Sequence, residues 1–184
     1  LRGANLKSLT YPSTYEAIPD LLSTMNSEDL EYLDVCVDSS EWRASYTGEL
    51  PKLKKLRVRG TFIPDDLSKL PSSLQYVSIL FATLDTSQLL ELLRKCDKGS
   101  VLINNLTLES KTAMVPVGER PLASLTIGSL SSEDDDMTQT LRTIIPLLSN
   151  TRSFKLCTTN FRDPVSGEVS DQIISMSHCA FYST

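Results

Sequence analysis

His178 and Cys179 stand side by side near the end of this 184-residue chain, and a cysteine with a histidine base is a compact arrangement for nucleophilic catalysis. Adjacent residues do not face one another on a helix, so the imidazole has no route to the thiol proton. His178 is also the sole histidine. The other cysteines, Cys36, Cys96 and Cys157, are widely separated and form no C-x-x-C pair, which removes the usual zinc and dithiol patterns. Neither G-x-G-x-x-G nor G-x-x-x-x-G-K-[ST] occurs, so the phosphate-cradling glycine loops are missing too. Carboxylates are numerous, but no spacing singles out a pair for acid-base work. The expectation is therefore a chain that is not an enzyme and uses no cofactor and no metal.

Two charged stretches remain. "SSEDDDMTQT", residues 131–140, sets Ser131 and Ser132 before Glu133 to Asp136. Either serine can cap a helix whose first turn is acidic and whose apolar stripe starts at Leu141. Serines followed by acids are also candidate phosphorylation sites, where phosphate would strengthen a helix start or create a docking patch. "PKLKKLRVRG", residues 51–60, puts five basic residues into ten. A net charge of −5 and a pI near 4.9 oppose a general nucleic-acid or anionic-membrane binder, because the field of the whole protein repels both. The basic stretch is a local feature, suited to a protein partner with an acidic segment.

Composition bounds the rest. Hydrophobic residues make up 40% and charged residues 22%, the balance of one globular domain over residues 1–184 with a sizeable core. Apolar runs are too short for a membrane span. A chain this long needs no disulfide staples, so thiols in a cytoplasmic or nuclear protein are expected. The N-x-T match at Asn105–Thr107 falls inside an apolar, strand-like run. The chain begins at Leu1 without Met, which reads as a fragment of a longer protein.

An internal repeat underlies the basic stretch. L-x-x-L-x-L spacing recurs in "NLKSLTY" (Leu6, Leu9, Tyr11), "DLEYLDV" (Leu30, Leu33, Val35), "KLKKLRV" (Leu53, Leu56, Val58) and "SLQYVSI" (Leu74, Val77, Ile79). It returns in "INNLTL" (Ile103, Leu106, Leu108), "PLASLTI" (Leu122, Leu125, Ile127) and, degraded, "TRSFKL" (Thr151, Phe154, Leu156). The first positions lie 24, 23, 21, 29, 19 and 29 residues apart. Between them, helical spacing appears at Ile18, Leu21, Leu22, Met25; at Leu89, Leu92, Leu93, Cys96; and at Leu141, Ile144, Ile145, Leu148. Each of these sets gives one apolar stripe. Pro146 should kink or end the third helix. "FIPDDLSKLPSS" has room for about one helical turn.

Strand, turn, helix and return at this period resembles the leucine-rich repeat family over nearly the whole chain. "LLRKCDKGSVLINNLTL" and "SMSHCAFYST", with a cysteine near a helix end, look like the cysteine-containing repeats of F-box leucine-rich-repeat proteins. The asparagine or cysteine that the family carries three residues after L-x-L is absent from most copies here. The resemblance implies an α/β solenoid of about seven irregular repeats, with parallel strands on the concave face and helices and loops on the convex face. It also implies an interaction module, in the F-box class the substrate-recognition region of a ubiquitin ligase subunit. The alternative is the ligand-binding repeat region of an immune-type receptor or pathogen effector.

Strand alternation then nominates the binding surface. Leu56 and Val58 point inward, while Lys55, Arg57 and Arg59 point out. The same rule assigns Tyr32 and Asp34, Tyr76 and Ser78, and Asn105 and Thr107 to the outer face, with Ser8, Thr10, Ser124, Thr126, Ser153 and Lys155 flanking them. Tyr32, Arg57 and Tyr76 are of the types enriched among interface anchors, and Asp34 is expected to pair with Arg57 across the strands. Finally, Val169, Ile173 and Met176 read as a helical stripe with Ile174 beside it, Ala180 or Phe181 as the start of an eighth strand, and the repeat array as continuing past Thr184.

Overall fold

A computed structural model describes residues 6–13, 28–109, 123–132, 144, 151–162 and 169–172. The seven L-x-x-L-x-L segments each fall on one strand of a parallel set: β1 (Ser8–Ser13), β2 (Tyr32–Arg43), β3 (Lys55–Ile63), β4 (Tyr76–Leu84), β5 (Ser100–Leu108), β6 (Ser124–Ser132) and β7 (Phe154–Arg162). An eighth, β8 (Val169–Gln172), completes a sheet whose order is the order of the chain. The class is α/β, a mostly parallel sheet with few helices.

The strands align because their apolar positions do. Leu33, Leu56, Val77, Val101 and Leu125 form one continuous row across the sheet, and Val35, Val58, Ile79, Ile103 and Ile127 form a second. All ten are buried. Leu9 and Tyr11 extend the rows into β1, and Phe154 and Leu156 extend them into β7. A one-residue slip would turn every one of these side chains to the opposite face, so the register is strongly specified. The strands then continue to a third buried row, Trp42, Phe62, Ala82, Leu106 and Leu130. In β4, β5 and β6 this row stands three residues after the L-x-L pair, where the resembled family has asparagine. An apolar side chain fills the interior there.

Register corrects the reading of the fifth unit. Val101 and Ile103, not Leu106 and Leu108, stand in the rows of Leu56 and Val58. Its first position is Lys98, which is 24 residues after Leu74 and 24 before Leu122. Lys98 does not look like a leucine because it sits in a turn, with φ at 68°. The period is thus more even than the L-x-x-L-x-L matches alone suggest.

The described connections, those between β2 and β5, pack on one face of the sheet. α1 (Thr86–Lys95) starts with a reciprocal cap: the Asp85 carboxylate accepts from the Gln88 amide at 2.8 Å, and the Gln88 side-chain oxygen accepts from the Asp85 amide at 2.9 Å. Two orphan donors of the first turn are satisfied this way. Leu89, Leu92, Leu93 and Cys96 are buried as their helical spacing predicts. The 3-10 turns Ala44–Glu49 and Leu67–Lys69 replace longer helices in the shorter connections. They and the adjoining residues bring Ala44, Leu50, Leu67 and Leu70 into the same core, and Tyr46 meets the buried Trp42 ring edge-on at 5.3 Å. Of the other two expected helices, only Ile144 lies within the described residues, where it is helical and buried.

At the far end, the helical reading of Val169 is overturned. Val169–Gln172 is a strand, and it runs antiparallel to β7, pairing Arg162 with Val169 and Thr159 with Gln172. Only residues 163–168 separate the two strands, and a parallel crossover needs roughly a dozen or more. Ile173, Ile174, Met176, Cys179, Ala180 and Phe181 lie outside the described residues.

Two outcomes test this packing. A Cβ on Gly99 would collide with the Gln75 carbonyl oxygen and lie within 3 Å of two further Gln75 backbone atoms, so Gly99→Ala must push β5 away from β4. A loss of about 1–3 kcal/mol is expected in urea unfolding, and an unchanged midpoint would contradict the spacing. Burial pushes the Cys96 thiol up to about 12, and only the thiolate is alkylated readily. Iodoacetamide should therefore label Cys96 no faster than the protein unfolds, and labelling as fast as the partly exposed Cys157 would disprove its burial.

Candidate interaction surface

On the sheet face away from α1, where Lys55, Arg57 and Arg59 are exposed, the side chains form rungs. Tyr32, Lys55, Tyr76 and Ser100 make the first, and Asp34, Arg57, Ser78 and Leu102 the second. One step further, Cys36 is paired with Arg59. Along β3 the exposed residues are Lys55, Arg57, Arg59 and Thr61, alternating with buried neighbours. The rungs therefore carry the polar residues nominated from the sequence on β2, β3 and β4.

Within this surface the charges are not equivalent. Asp34 points to the open face, yet its side chain is only 5% exposed. Arg59 grips it with two parallel hydrogen bonds, Nε to Oδ1 and Nη2 to Oδ2, both 2.9 Å. This forked geometry is the strong form of an arginine–carboxylate contact. The Tyr32 hydroxyl donates to the same Oδ2 at 3.3 Å, whereas Arg57 Nη1 stands 3.9 Å from it. Hydrogen bonding to Asp34, and then its charge, raise the Arg59 guanidinium above its ordinary value.

The expected Asp34–Arg57 pair is thus the looser of two. Arg57 is directly opposite Asp34 in register, and strands are only about 4.8 Å apart, shorter than an extended arginine side chain. Arg59, two residues on, approaches diagonally and lays Nε and Nη2 on the carboxylate. Arg59 is committed to the fold, while Lys55 and Arg57 keep charge available to solvent.

Burial changes the roles of other nominated residues. Asp34 and Ser78 are 4% and 8% exposed, so neither presents its side chain to solvent. Asn105 and Thr107 follow the corrected register to the later part of β5. Asn105 pairs with Phe81 and donates from its side chain to the Leu80 carbonyl at 3.1 Å. The Thr107 hydroxyl lies 3.0 Å from that of Ser131. Ser131 and Ser132 belong to β6, so Ser131 ties two strands together where a helix cap was expected. Residues 133–143 lie outside the described residues.

Spacing missed the apolar half of this face. Leu80 and Leu102 are partly exposed, and Phe81, at 47%, is the exposed large hydrophobic side chain among the described residues. The 24-residue interval from Leu74 to Lys98 is the signal that would have put Leu102 on the rung of Arg57. At the strand starts, a groove of about 620 Å³ opens between the turns at Ser72–Gln75 and Asp97–Gly99, with Lys55 and Tyr76 in its wall.

Among the described residues, no group of three or more histidine, cysteine, aspartate or glutamate side chains is placed to hold a metal ion. No helix among them is long and apolar enough to cross a membrane. Comparison with protein-family models, with curated proteins and with solved structures gave no match.

The unequal charges lead to an asymmetric expectation. Arg59→Met leaves the buried Asp34 carboxylate with only the long Tyr32 hydroxyl bond and the distant Arg57, whereas Asp34→Asn leaves Arg59 free to turn into water. Losing the exposed partner should lower Tm by several degrees, and losing the buried one by only about 2 °C. Equal shifts in thermal melts of the two variants would show that Asp34 is not the costly member of the pair.

Proposed function

We propose that this chain is a leucine-rich-repeat-type solenoid that acts as a protein-interaction module, holding a partner's acidic segment on its open sheet face. Seven parallel strands in chain order, with three stacked apolar rows and connections packed on one side, are what a coil of repeats requires. Such a coil leaves its outward rungs open to variation at little cost to the core. The observation that carries the functional reading is the division of labour in β3. Arg59 neutralises Asp34, while Lys55 and the half-exposed Arg57 present positive charge on a chain of net charge −5.

The F-box type of substrate recognition remains the preferred biological setting. It is supported by the resemblance of "LLRKCDKGSV" to cysteine-containing repeats and by the place of Cys96, buried at the end of α1. In that setting the rungs select a substrate, and ubiquitin transfer is catalysed elsewhere.

Selection from a displayed library of random peptides tests the reading. The native chain should enrich sequences rich in aspartate and glutamate. The double variant Lys55→Glu, Arg57→Glu should lose that enrichment with its Tm within a few degrees of the parent, since exposed charges add little stability. Recovery of the same acidic sequences by both proteins would overturn the proposal, as would tighter, salt-sensitive binding of random duplex DNA.

A further inference from the structure

Beside the basic rungs, one and two strands away, the open face becomes apolar. Leu102 occupies the same rung as Arg57 and Ser78, Leu80 follows Ser78 by two residues on β4, and Phe81 comes next. Phe81 and its register neighbours Thr61 and Asn105 are all exposed. β4 reads inward at Ile79 and again at Ala82, so two consecutive residues, Leu80 and Phe81, are left between the inward positions. An aromatic side chain held about half out of water on a sheet is a cost that contact with an apolar group removes. Lys55 and Arg57 stand on the neighbouring strand at the levels of Tyr76 and Ser78, so the face is complementary to a segment with both properties.

Resting on the reading of the open face as an acidic-segment site, we infer that its partner is an extended peptide carrying an apolar side chain two to four residues from its acidic ones. Acids meet Arg57 and Lys55, and the apolar side chain covers Phe81 and Leu80. The spacing follows from the lattice of the sheet. Strands are about 4.8 Å apart and rise about 3.3 Å per residue. From Arg57 to Leu80, Leu102 or Phe81 is thus on the order of 8–11 Å, the span of about two to four residues of extended chain. Arg59 takes no part, because Asp34 already holds it.

Fluorescence anisotropy with three labelled synthetic peptides decides the matter. One carries aspartates alone, one adds a leucine or phenylalanine at the stated spacing, and one sets the same apolar residue far from the acids. The second should bind about tenfold more tightly than the other two. Phe81→Ser, an exposed position whose change should leave the melt intact, should erase that advantage and leave the affinity for the aspartate peptide unchanged. If the aspartate peptide binds but the apolar residue adds nothing, or Phe81→Ser alters no affinity, the composite site falls and the acidic-segment reading stands. If no peptide binds, both fall. Concentration-dependent dimerisation abolished by Phe81→Ser would make a second copy the occupant and equally overturn the inference.

Discussion

The register lock between parallel strands governs this molecule. Each of the seven parallel strands contributes side chains to the first two inward rows at fixed levels, and each level must meet its counterpart on the next strand or the row of apolar side chains breaks. Burying one such side chain contributes roughly 1.5–3 kcal/mol, and a slip would sacrifice an entire strand's share at once. Irregularity is therefore displaced to where it does least harm. β2 carries three extra residues between Val37 and Glu41, and β3 absorbs one between Val58 and Thr61. Both shifts come after the second apolar row, so the first two rows stay continuous from β1 to β7.

The open face inherits its order from that lock. Asp34, Arg57 and Arg59 come together because β2 and β3 are held at a register that neither charge chose. Given that register, geometry decides which arginine the carboxylate takes, and the diagonal one wins. Outside the sheet, charges at the rim act more simply. Lys52 and Lys54 reach back one repeat to Asp29 and Glu31 at 2.5 and 2.8 Å, and these hydrogen bonds and charges hold both carboxyls below their usual range. Such exposed pairs are screened by water and contribute little to stability.

The repeating strands, the inward rows and the α1 stripe were legible in the sequence because each is a periodic burial pattern. Periodicity failed where the pattern was satisfied by the wrong residues. "INNLTL" fits L-x-x-L-x-L, yet its leucines belong to later levels of β5, and the true first position is a lysine in a left-handed turn. Val169 fits a helical stripe with Ile173, but a short connection from β7 allows only a reversal of direction. At the site, facing was readable from alternation and exposure was not. Asp34 and Ser78 point outward and are still covered, and for Asp34 the cause is the Arg59 and Tyr32 side chains laid on its carboxylate. Phe81 went unnoticed because it breaks the alternation.

Strand order that follows chain order also governs how the molecule bears load. Each strand bonds only to the strands before and after it, over sequence separations of about one repeat, and no described strand pairing joins distant parts of the chain. Tension along the chain then meets hydrogen bonds a strand at a time, not a whole sheet sheared together. Under such tension a molecule of this kind lengthens by peeling, in steps of one repeat. The inner strands keep their rungs, and with them the charged face on β2 to β4, after an outer strand has come away.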